Sequence, residues 1–233
     1  MMLWLLLIGV PLILGLIAQA KVSSAFGRWK NVPASSGVTG AEAAREILSA
    51  ANIHDVEVVE IEDMLGDHYD PSSKRLCLSP DVYNTPSIAA LGIAAHEVGH
   101  AIQDAKGYAP LHLRMAVVPA TMFVSRVLPI LILAGFILPI FLHMPFMTYK
   151  VIFLVAICYA VIAAFQLITL PVEFDASRRA KVILGQMGLI RQGEEAAGVN
   201  NVLDSAALTY VAAFVAALGQ LLYWVFILLN DRR

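Results

Sequence analysis

His96 and His100 are the side chains with the clearest potential for chemistry, and Glu97 lies between them in the sequence His-Glu-Val-Gly-His. On a helix, residues four apart lie on the same face, so both imidazoles can bind one metal ion. Glu97 lies one position further round, where its carboxylate can face a water bound to that ion. The spacing therefore predicts a zinc hydrolase site with one catalytic Zn²⁺, in which Glu97 is the general base.

Two histidines four residues apart could instead be ordinary side chains on a half-exposed helix. The chain has only six histidines in 233 residues, so a chance match to His-Glu-x-x-His is a rare event. Apolar residues on both sides of the motif would bury Glu97, and a buried carboxylate is costly unless a cation is present. The flanking residues therefore favour the metal site.

The composition indicates a membrane protein. Hydrophobic residues make up 59% of the chain, and the mean hydropathy is +0.73. A helix needs about 20 residues to cross the hydrocarbon core. Four apolar segments are long enough, namely Met2 to Ala20, Val117 to Leu142, Val151 to Leu170 and Ala206 to Leu229. We interpret the first as an uncleaved anchor, because no Lys or Arg precedes it as in a signal peptide.

Basic residues predict the orientation of these spans. Nine of those near the spans lie on one side of the membrane, because an even number of crossings separates them: Lys21, Arg28, Lys30, Arg114, Arg126, Arg178, Arg179, Lys181 and Arg191. The other side has only Lys150, Arg232 and Arg233. The positive-inside rule then predicts a multi-pass protein of the bacterial plasma membrane with its metal motif in the cytoplasm. No basic stripe suggests a nucleic-acid partner, and Cys77 and Cys158 form no plausible disulfide framework.

The segment before the motif predicts a small α+β part. It has a capping box at Thr39–Glu42 with a helix to Ala51, a strand over 56–61, a turn over 70–73 and a strand over 75–78. Ser87 is expected to cap the motif helix, which continues to about Lys106 and ends at Gly107. The strand over 75–78 is either an edge strand that binds an extended peptide beside the metal helix or plain scaffold.

A catalytic zinc site usually has three protein ligands, so one remains to be found. Lys106 occupies the position of a third metzincin histidine, and His112 lies off the motif helix. Among the downstream acidic residues, Glu194 and Glu195 resemble a solvated loop. Glu173 follows the third span on the side of the motif, and it would share a helical face with Ser177, Ala180 and Leu184. We expect Glu173 to be the ligand, with Asp175 as the rival and a simple ion pair of Glu173 as the alternative.

Four motifs together carry a resemblance to a known family. They are Asp67-His-Tyr-Asp-Pro71, the segment from His96 to Gln103, the segment from Leu170 to Arg179, and the segment from Asn201 to Tyr210. Over essentially the whole chain they resemble the neutral zinc metallopeptidases typified by YugP, and more distantly the order of parts is similar to HtpX-type membrane gluzincins. The resemblance implies a mainly α membrane protein with about four transmembrane helices and a small α+β zincin-like (gluzincin) catalytic domain.

The gluzincin pattern has an Asp four residues after the glutamate ligand, where it supports the first histidine. This chain has Ser177 at that position, so the resemblance implies that this supporting role belongs to Ser177 or to Asp175. The expected domains are an N-terminal anchor (residues 1–20), a soluble part with the motif helix (21–114), two transmembrane helices (115–170), a glutamate helix and loop that complete the zinc site (171–205), and a last transmembrane helix (206–233).

Residues and resemblance agree on a membrane-bound zinc metalloendopeptidase whose partners are a protein or peptide substrate and the lipid bilayer. Zn²⁺ held by His96, His100 and Glu173 would activate a water whose proton Glu97 accepts. Tyr210 is a candidate donor to the developing oxyanion, although an interfacial tyrosine is also a common membrane anchor. His68 and His112 are weaker candidates for that role.

Two other functions remain open. In a site-2-type intramembrane protease the motif would lie inside a span, but the apolar run begins only at Ile88 and closes at Asp104, which is short for a crossing. The residues Leu203-Asp204-Ser205 also lack the Asp-Gly ligand motif of those enzymes. A non-catalytic scaffold with a structural metal would not need Glu97.

Overall fold

The computed structural model describes residues 2–62, 66–142 and 146–230. Its described part contains seven helices and three strands in the order α1 (Met2–Trp29, with a π-helical stretch at Leu5–Gly9), α2 (Gly40–Ala50), β1 (Glu57–Glu60), β2 (His68–Asp70), β3 (Arg75–Leu78), α3 (Pro80–Tyr83), α4 (Ile88–Ala105), α5 (Ala109–Leu142), α6 (Phe146–Gln186) and α7 (Glu194–Asn230). The metal motif lies on α4.

Four helices are long and apolar enough to cross a membrane, namely Met2–Trp29, Ala109–Gly135, Tyr149–Gln186 and Glu194–Asn230. The four apolar segments predicted from the sequence lie within α1, α5, α6 and α7. The expected fold class is therefore confirmed: the protein is a mainly α membrane protein with a small α+β part. α6 does not stop at the end of its apolar segment but continues through Pro171 to Gln186, so Glu173 lies on a regular helix.

The described chain forms two compact units. The span unit comprises Met1–Ile17, Leu113–Leu170 and Thr209–Arg233. The motif unit comprises Ala18–His112 and Pro171–Leu208, and it contains the whole of α4.

The sheet of the motif unit has the strand order β1-β3-β2. β3 pairs in parallel with β1 and antiparallel with β2, and Leu76 has a partner in each neighbour, Val58 and Tyr69. Of the two alternatives for residues 75–78, the peptide-binding edge is therefore wrong, because both edges of β3 are already paired. The turn after Asp70 was correctly predicted, but His68–Asp70 is too short to show an alternating pattern, so the first strand of this hairpin was missed.

The helix caps predicted for α2 and α4 are confirmed. Thr39 and Glu42 form the capping box at the start of α2, with the Glu42 N–H 3.3 Å from Thr39 Oγ1 and the Thr39 N–H 2.8 Å from Glu42 Oε2. The Ser87 hydroxyl accepts a hydrogen bond from the Ala90 N–H at 3.1 Å and caps α4. Gly107, with φ of +64°, follows the end of that helix in the left-handed region. These caps satisfy backbone groups that a helix end leaves without intrahelical partners.

The expectation of a solvated loop at Glu194 and Glu195 is wrong. α7 begins at Glu194, and the Glu195 carboxylate accepts hydrogen bonds from the Ser35 N–H at 3.1 Å and the Arg191 N–H at 2.9 Å. A carboxylate in the first turn of a helix is stabilised by the helix dipole. The Glu195 carboxylate also links the loop that contains Ser35 to the loop that contains Arg191. Trp29 Nε1 donates to Asn201 Oδ1 at 3.1 Å and adds a second link to α7 within the motif unit.

Candidate metal centre

His96, His100 and Glu173 come together in the motif unit. One potential ligand atom from each lies within 4.8 Å of the other two. Glu173 Oε2 is 3.2 Å from Nε2 of His96 and 3.5 Å from Nε2 of His100. The two imidazole rings are nearly perpendicular, at 86°, so their Nε2 atoms approach the same carboxylate oxygen from different directions.

This donor set fits a zinc ion. Two imidazole nitrogens and one carboxylate oxygen are the ligands of several catalytic zinc sites, in which a fourth position is kept for water. Glu173 is only 1% exposed, and Glu97 is also buried, so the site holds two carboxylates with little solvent. Burial acts to lower the pKa of His100, but the hydrogen bond to Glu173 and the charge of Glu97 outweigh it and raise that pKa. The site therefore stabilises added positive charge.

The close approach of α4 and α6 depends on two small residues. A Cβ atom on Gly99 would lie 2.8 Å from the backbone oxygen of Ala176 and 3.1 Å from its Cα. Such distances are too short for a real Cβ, so only glycine permits this crossing of the two helices. Ala176 lies one turn after Glu173, and the contact therefore brings Glu173 to the two histidines on α4. The sequence analysis gave no role to Gly99, although its position inside the His-Glu-Val-Gly-His motif indicated that this residue matters for the site.

Glu97 is held by the neighbouring strand. The backbone N–H of Tyr69 on β2 donates to Glu97 Oε2 at 3.0 Å. Burial raises the pKa of Glu97, while the adjacent imidazoles of His96 and His100 act in the opposite direction. Raised basicity is useful to a group that must accept a proton near neutral pH.

The Nδ1 atom of His96 lies 3.1 Å from the Ser177 hydroxyl. If Nε2 faces the metal, Nδ1 carries the hydrogen and donates it to this hydroxyl, which fixes the ring orientation. Glu173 and Ser177 do lie on the same buried face of α6, together with Ala180 and Leu184.

The Nδ1 atom of His100 has a more elaborate set of partners. It lies 3.0 Å from Gln103 Oε1, and Gln103 Nε2 donates to the Val172 oxygen at 2.8 Å and to Asp175 Oδ2 at 3.0 Å. Asp175 also pairs with Arg178 and with Arg179, whose Nε lies 2.5 Å away. Asp175, the rival ligand, therefore lies outside the cluster and contacts His100 only through Gln103. Gln103 is fully buried and was missed from the sequence, although a polar residue on the motif helix was a possible signal.

The remaining candidates lie elsewhere. Tyr210 is a half-buried residue of α7 in the span unit, and its role in catalysis stays a prediction. His68 is exposed on β2, with Nδ1 2.5 Å from the Gly66 oxygen, and His112 is exposed near the start of α5. Asp204 accepts from Lys181 Nζ at 2.5 Å.

Comparison with known proteins agrees with this geometry. Residues 4–229 match the protein family described as "Putative neutral zinc metallopeptidase". The chain is also 46% identical over 231 residues to a Bacillus subtilis (strain 168) protein named "Putative membrane protease YugP", and the match covers 99% of each chain. No solved structure matches the chain.

Proposed function

This chain belongs to the neutral zinc metallopeptidase family, and we propose that it is a membrane-bound zinc metalloendopeptidase that hydrolyses peptide bonds of protein or peptide substrates. The observation that carries this proposal is the cluster of His96, His100 and Glu173 on two helices. Glu97 adds a buried carboxylate next to that cluster. A structural metal site has no use for this carboxylate, whereas a hydrolase needs a base there.

Each residue of the centre has a separate task in the proposed reaction. His96, His100 and Glu173 hold a zinc ion, which when bound polarises the scissile carbonyl and acidifies a water. Glu97 accepts the water proton and transfers it to the leaving amine. The Tyr69 N–H donates to Glu97 Oε2 and orients this carboxylate for the proton transfer. The Gln103 amide oxygen can only accept, so it keeps His100 in the Nδ1–H tautomer that presents Nε2 to the metal, and the Ser177 hydroxyl can accept from Nδ1–H of His96 in the same tautomer.

The substrate strand is proposed to lie along β2. β2 pairs on one side with β3, and its Tyr69 N–H points away from the sheet to Glu97. In an extended strand the N–H and C=O of one residue point to the same side. The Tyr69 carbonyl therefore points to the same edge of β2, where we propose that it accepts a hydrogen bond from an extended peptide, while the Tyr69 N–H is already used by Glu97. Tyr210 is proposed as a donor to the developing oxyanion.

The proposed orientation puts the motif unit in the cytoplasm of a bacterial cell. It rests on the nine basic residues that flank the spans on one side. A cysteine introduced at Ser35 or Gly193 should resist a membrane-impermeant thiol reagent added to intact cells and react after lysis. Labelling in intact cells would contradict the orientation.

We also propose that the five segments expected from the sequence, with bounds at residues 20, 114, 170 and 205, are the functional divisions of the chain.

The intramembrane alternative is not favoured. α4 is not among the four helices of the described chain that are apolar enough to cross a membrane. Most of its residues, from Ile88 to Gln103, are buried by the protein itself. A helix enclosed in this way exposes little apolar surface to lipid.

The proposal is tested with the full chain purified in detergent. We expect about one zinc per chain and cleavage of fluorescently labelled unfolded casein. Glu97→Gln should retain the zinc and lose proteolysis by orders of magnitude, because the amide cannot accept the proton. Glu57→Gln, which changes an exposed carboxylate of β1, is the matched control and should cleave like the wild type. A metal-free wild type, or full activity in Glu97→Gln, would contradict the proposal.

A further inference from the structure

We infer that Tyr69 is a positioning residue for Glu97, which it holds by fastening β2 to α4 at two points. The inference rests on the proposed function, since it assumes that Glu97 is the base. It assigns a role to Asp104 and Lys74 as well, because these residues anchor the tyrosine.

The two points of attachment lie at opposite ends of one residue. The backbone N–H of Tyr69 donates to Glu97 Oε2 at 3.0 Å, and its phenolic hydroxyl donates to Asp104 Oδ2 at 2.8 Å. Glu97 and Asp104 are seven residues apart on α4, so they lie on the same side of the helix about two turns, or roughly 10 Å, apart. The largely buried side chain of Tyr69 therefore lies along the helix between the base and Asp104.

Asp104 is itself held in place. Lys74 Nζ lies 2.5 Å from the same Oδ2 atom that accepts the tyrosine hydroxyl. Lys74 belongs to the turn between β2 and β3, where it has a φ of +54°. The backbone oxygen of Lys74 also accepts from the Glu57 N–H at 3.0 Å, which connects the turn to β1. The hairpin thus contacts α4 through three hydrogen bonds, two of which end on Asp104.

The protonation states of Tyr69 and Asp104 suit this hydrogen bond. Burial raises the pKa of Tyr69 well above its usual range, and the hydrogen bond to Asp104 adds to the effect. Burial acts to raise the pKa of Asp104, but the hydrogen bonds from Lys74 and Tyr69 outweigh it and lower that pKa. Near neutral pH the phenol is therefore a donor and the carboxylate an ionised acceptor.

Glu97 lies on α4, but its hydrogen-bond partner Tyr69 lies on a short edge strand, which must be held in place for this contact to persist. β2 has three residues and pairs only with β3, so few backbone hydrogen bonds hold it in the sheet. Without the hydroxyl anchor, β2 could shift relative to α4 and carry the Tyr69 N–H away from Glu97. Displacements of about 1 Å at a reacting group can lower rates by about a hundredfold. The anchor therefore acts mainly on the rate of the proposed reaction and not on metal binding, and it affects KM only through the pairing of the proposed substrate with β2.

The test uses Tyr69→Phe, which removes the hydroxyl and leaves the backbone N–H. We expect kcat on labelled casein to fall about tenfold or more, with a smaller rise of KM and with zinc content unchanged. Asp104→Asn should have an equal or larger effect, because it also weakens the bond from Lys74, and the double variant should be no worse than Asp104→Asn alone. Tyr83→Phe is the matched control, since the Tyr83 hydroxyl bonds only to Arg45 among the contacts that the structure describes.

A second measurement does not depend on activity. Hydrogen exchange of the segment with residues 68–70 should be faster in Tyr69→Phe and in Glu97→Ala than in the wild type, and unchanged in Tyr83→Phe. Unchanged exchange in Tyr69→Phe would overturn the inference, as would an unchanged kcat or a fall of kcat, zinc content and thermal stability together. A wild-type protein without proteolysis would contradict the proposed function, and the exchange rates would then decide on their own whether the hydroxyl holds this strand.

Discussion

The two histidines of the candidate centre are one helical turn apart, yet their surroundings differ. The Nδ1 atom of His96 has a single serine hydroxyl as its partner, from Ser177 on α6. The Nδ1 atom of His100 bonds to Gln103 on its own helix, and the other end of that amide is fixed by two acceptors. The His96 imidazole is therefore supported by a hydroxyl that can rotate, and the His100 imidazole by an amide that cannot.

The difference shows how support can be shared between two ligands. A hydroxyl can turn about its C–O bond and can donate or accept, so it adapts to either ring tautomer. A buried amide with partners at both ends has one allowed orientation, because turning it over would leave unpaired polar atoms. We therefore expect His100 to be the more rigid ligand and changes near it to weaken metal binding more than changes near His96.

The largest effect on zinc binding is expected from the loss of Glu173, whose carboxylate lies next to both imidazoles. Glu173→Ala deletes one of three proposed ligands, so zinc occupancy and proteolysis should both be lost. Asp175→Ala is the comparison variant and should weaken zinc binding by only about 10 to 100-fold, because Asp175 acts through Gln103. Zinc content of the dialysed proteins measures both. Full zinc in Glu173→Ala, with loss of zinc in Asp175→Ala, would exchange the roles of the two carboxylates.

An intermediate effect is expected at Gln103. Gln103→Leu keeps the approximate volume but removes the acceptor of His100 and leaves the Val172 oxygen and Asp175 without this donor. We expect zinc affinity to fall by about 10 to 100-fold, measured by competition with a fluorescent chelator. Gln186→Leu, at an exposed position at the end of α6, should bind zinc like the wild type. Wild-type affinity in Gln103→Leu would remove the basis for calling His100 the more rigid ligand.

The smallest effect is expected at Ser177. Ser177→Ala removes the hydroxyl next to His96, and a water or the ring itself can adjust, so the loss of zinc affinity should stay below about tenfold. The same chelator competition measures it, with Ser49→Ala at the exposed end of α2 as the control. A larger loss in Ser177→Ala than in Gln103→Leu would reverse the comparison between the two histidines.

Much of the fold could be predicted because its signals are local. The four apolar segments, the Thr39–Glu42 capping box, the Ser87 cap and the turn after Asp70 each depend on residues close together in the chain. β2 was missed because three residues are too few to show an alternating pattern, and the edge was consequently assigned to β3. The roles of Gln103 and Asp104 were missed because the partners that hold them lie 30 residues or more away in the sequence, Val172 and Asp175 for Gln103 and Tyr69 and Lys74 for Asp104.

The sequence alone determined that His96 and His100 share one side of a helix and that Glu173 and Ser177 share one side of another, since helical periodicity acts over a single turn. It left open which carboxylate meets the histidines, because Glu173 and Asp175 both follow the third span. Only the tertiary structure decided this. Gly99 and Ala176 permit a close contact that fixes the rotation of α6, and residues two apart on a helix point about 200° apart. Glu173 therefore faces the imidazoles across 77 residues of chain, while Asp175 faces Gln103 and the arginines.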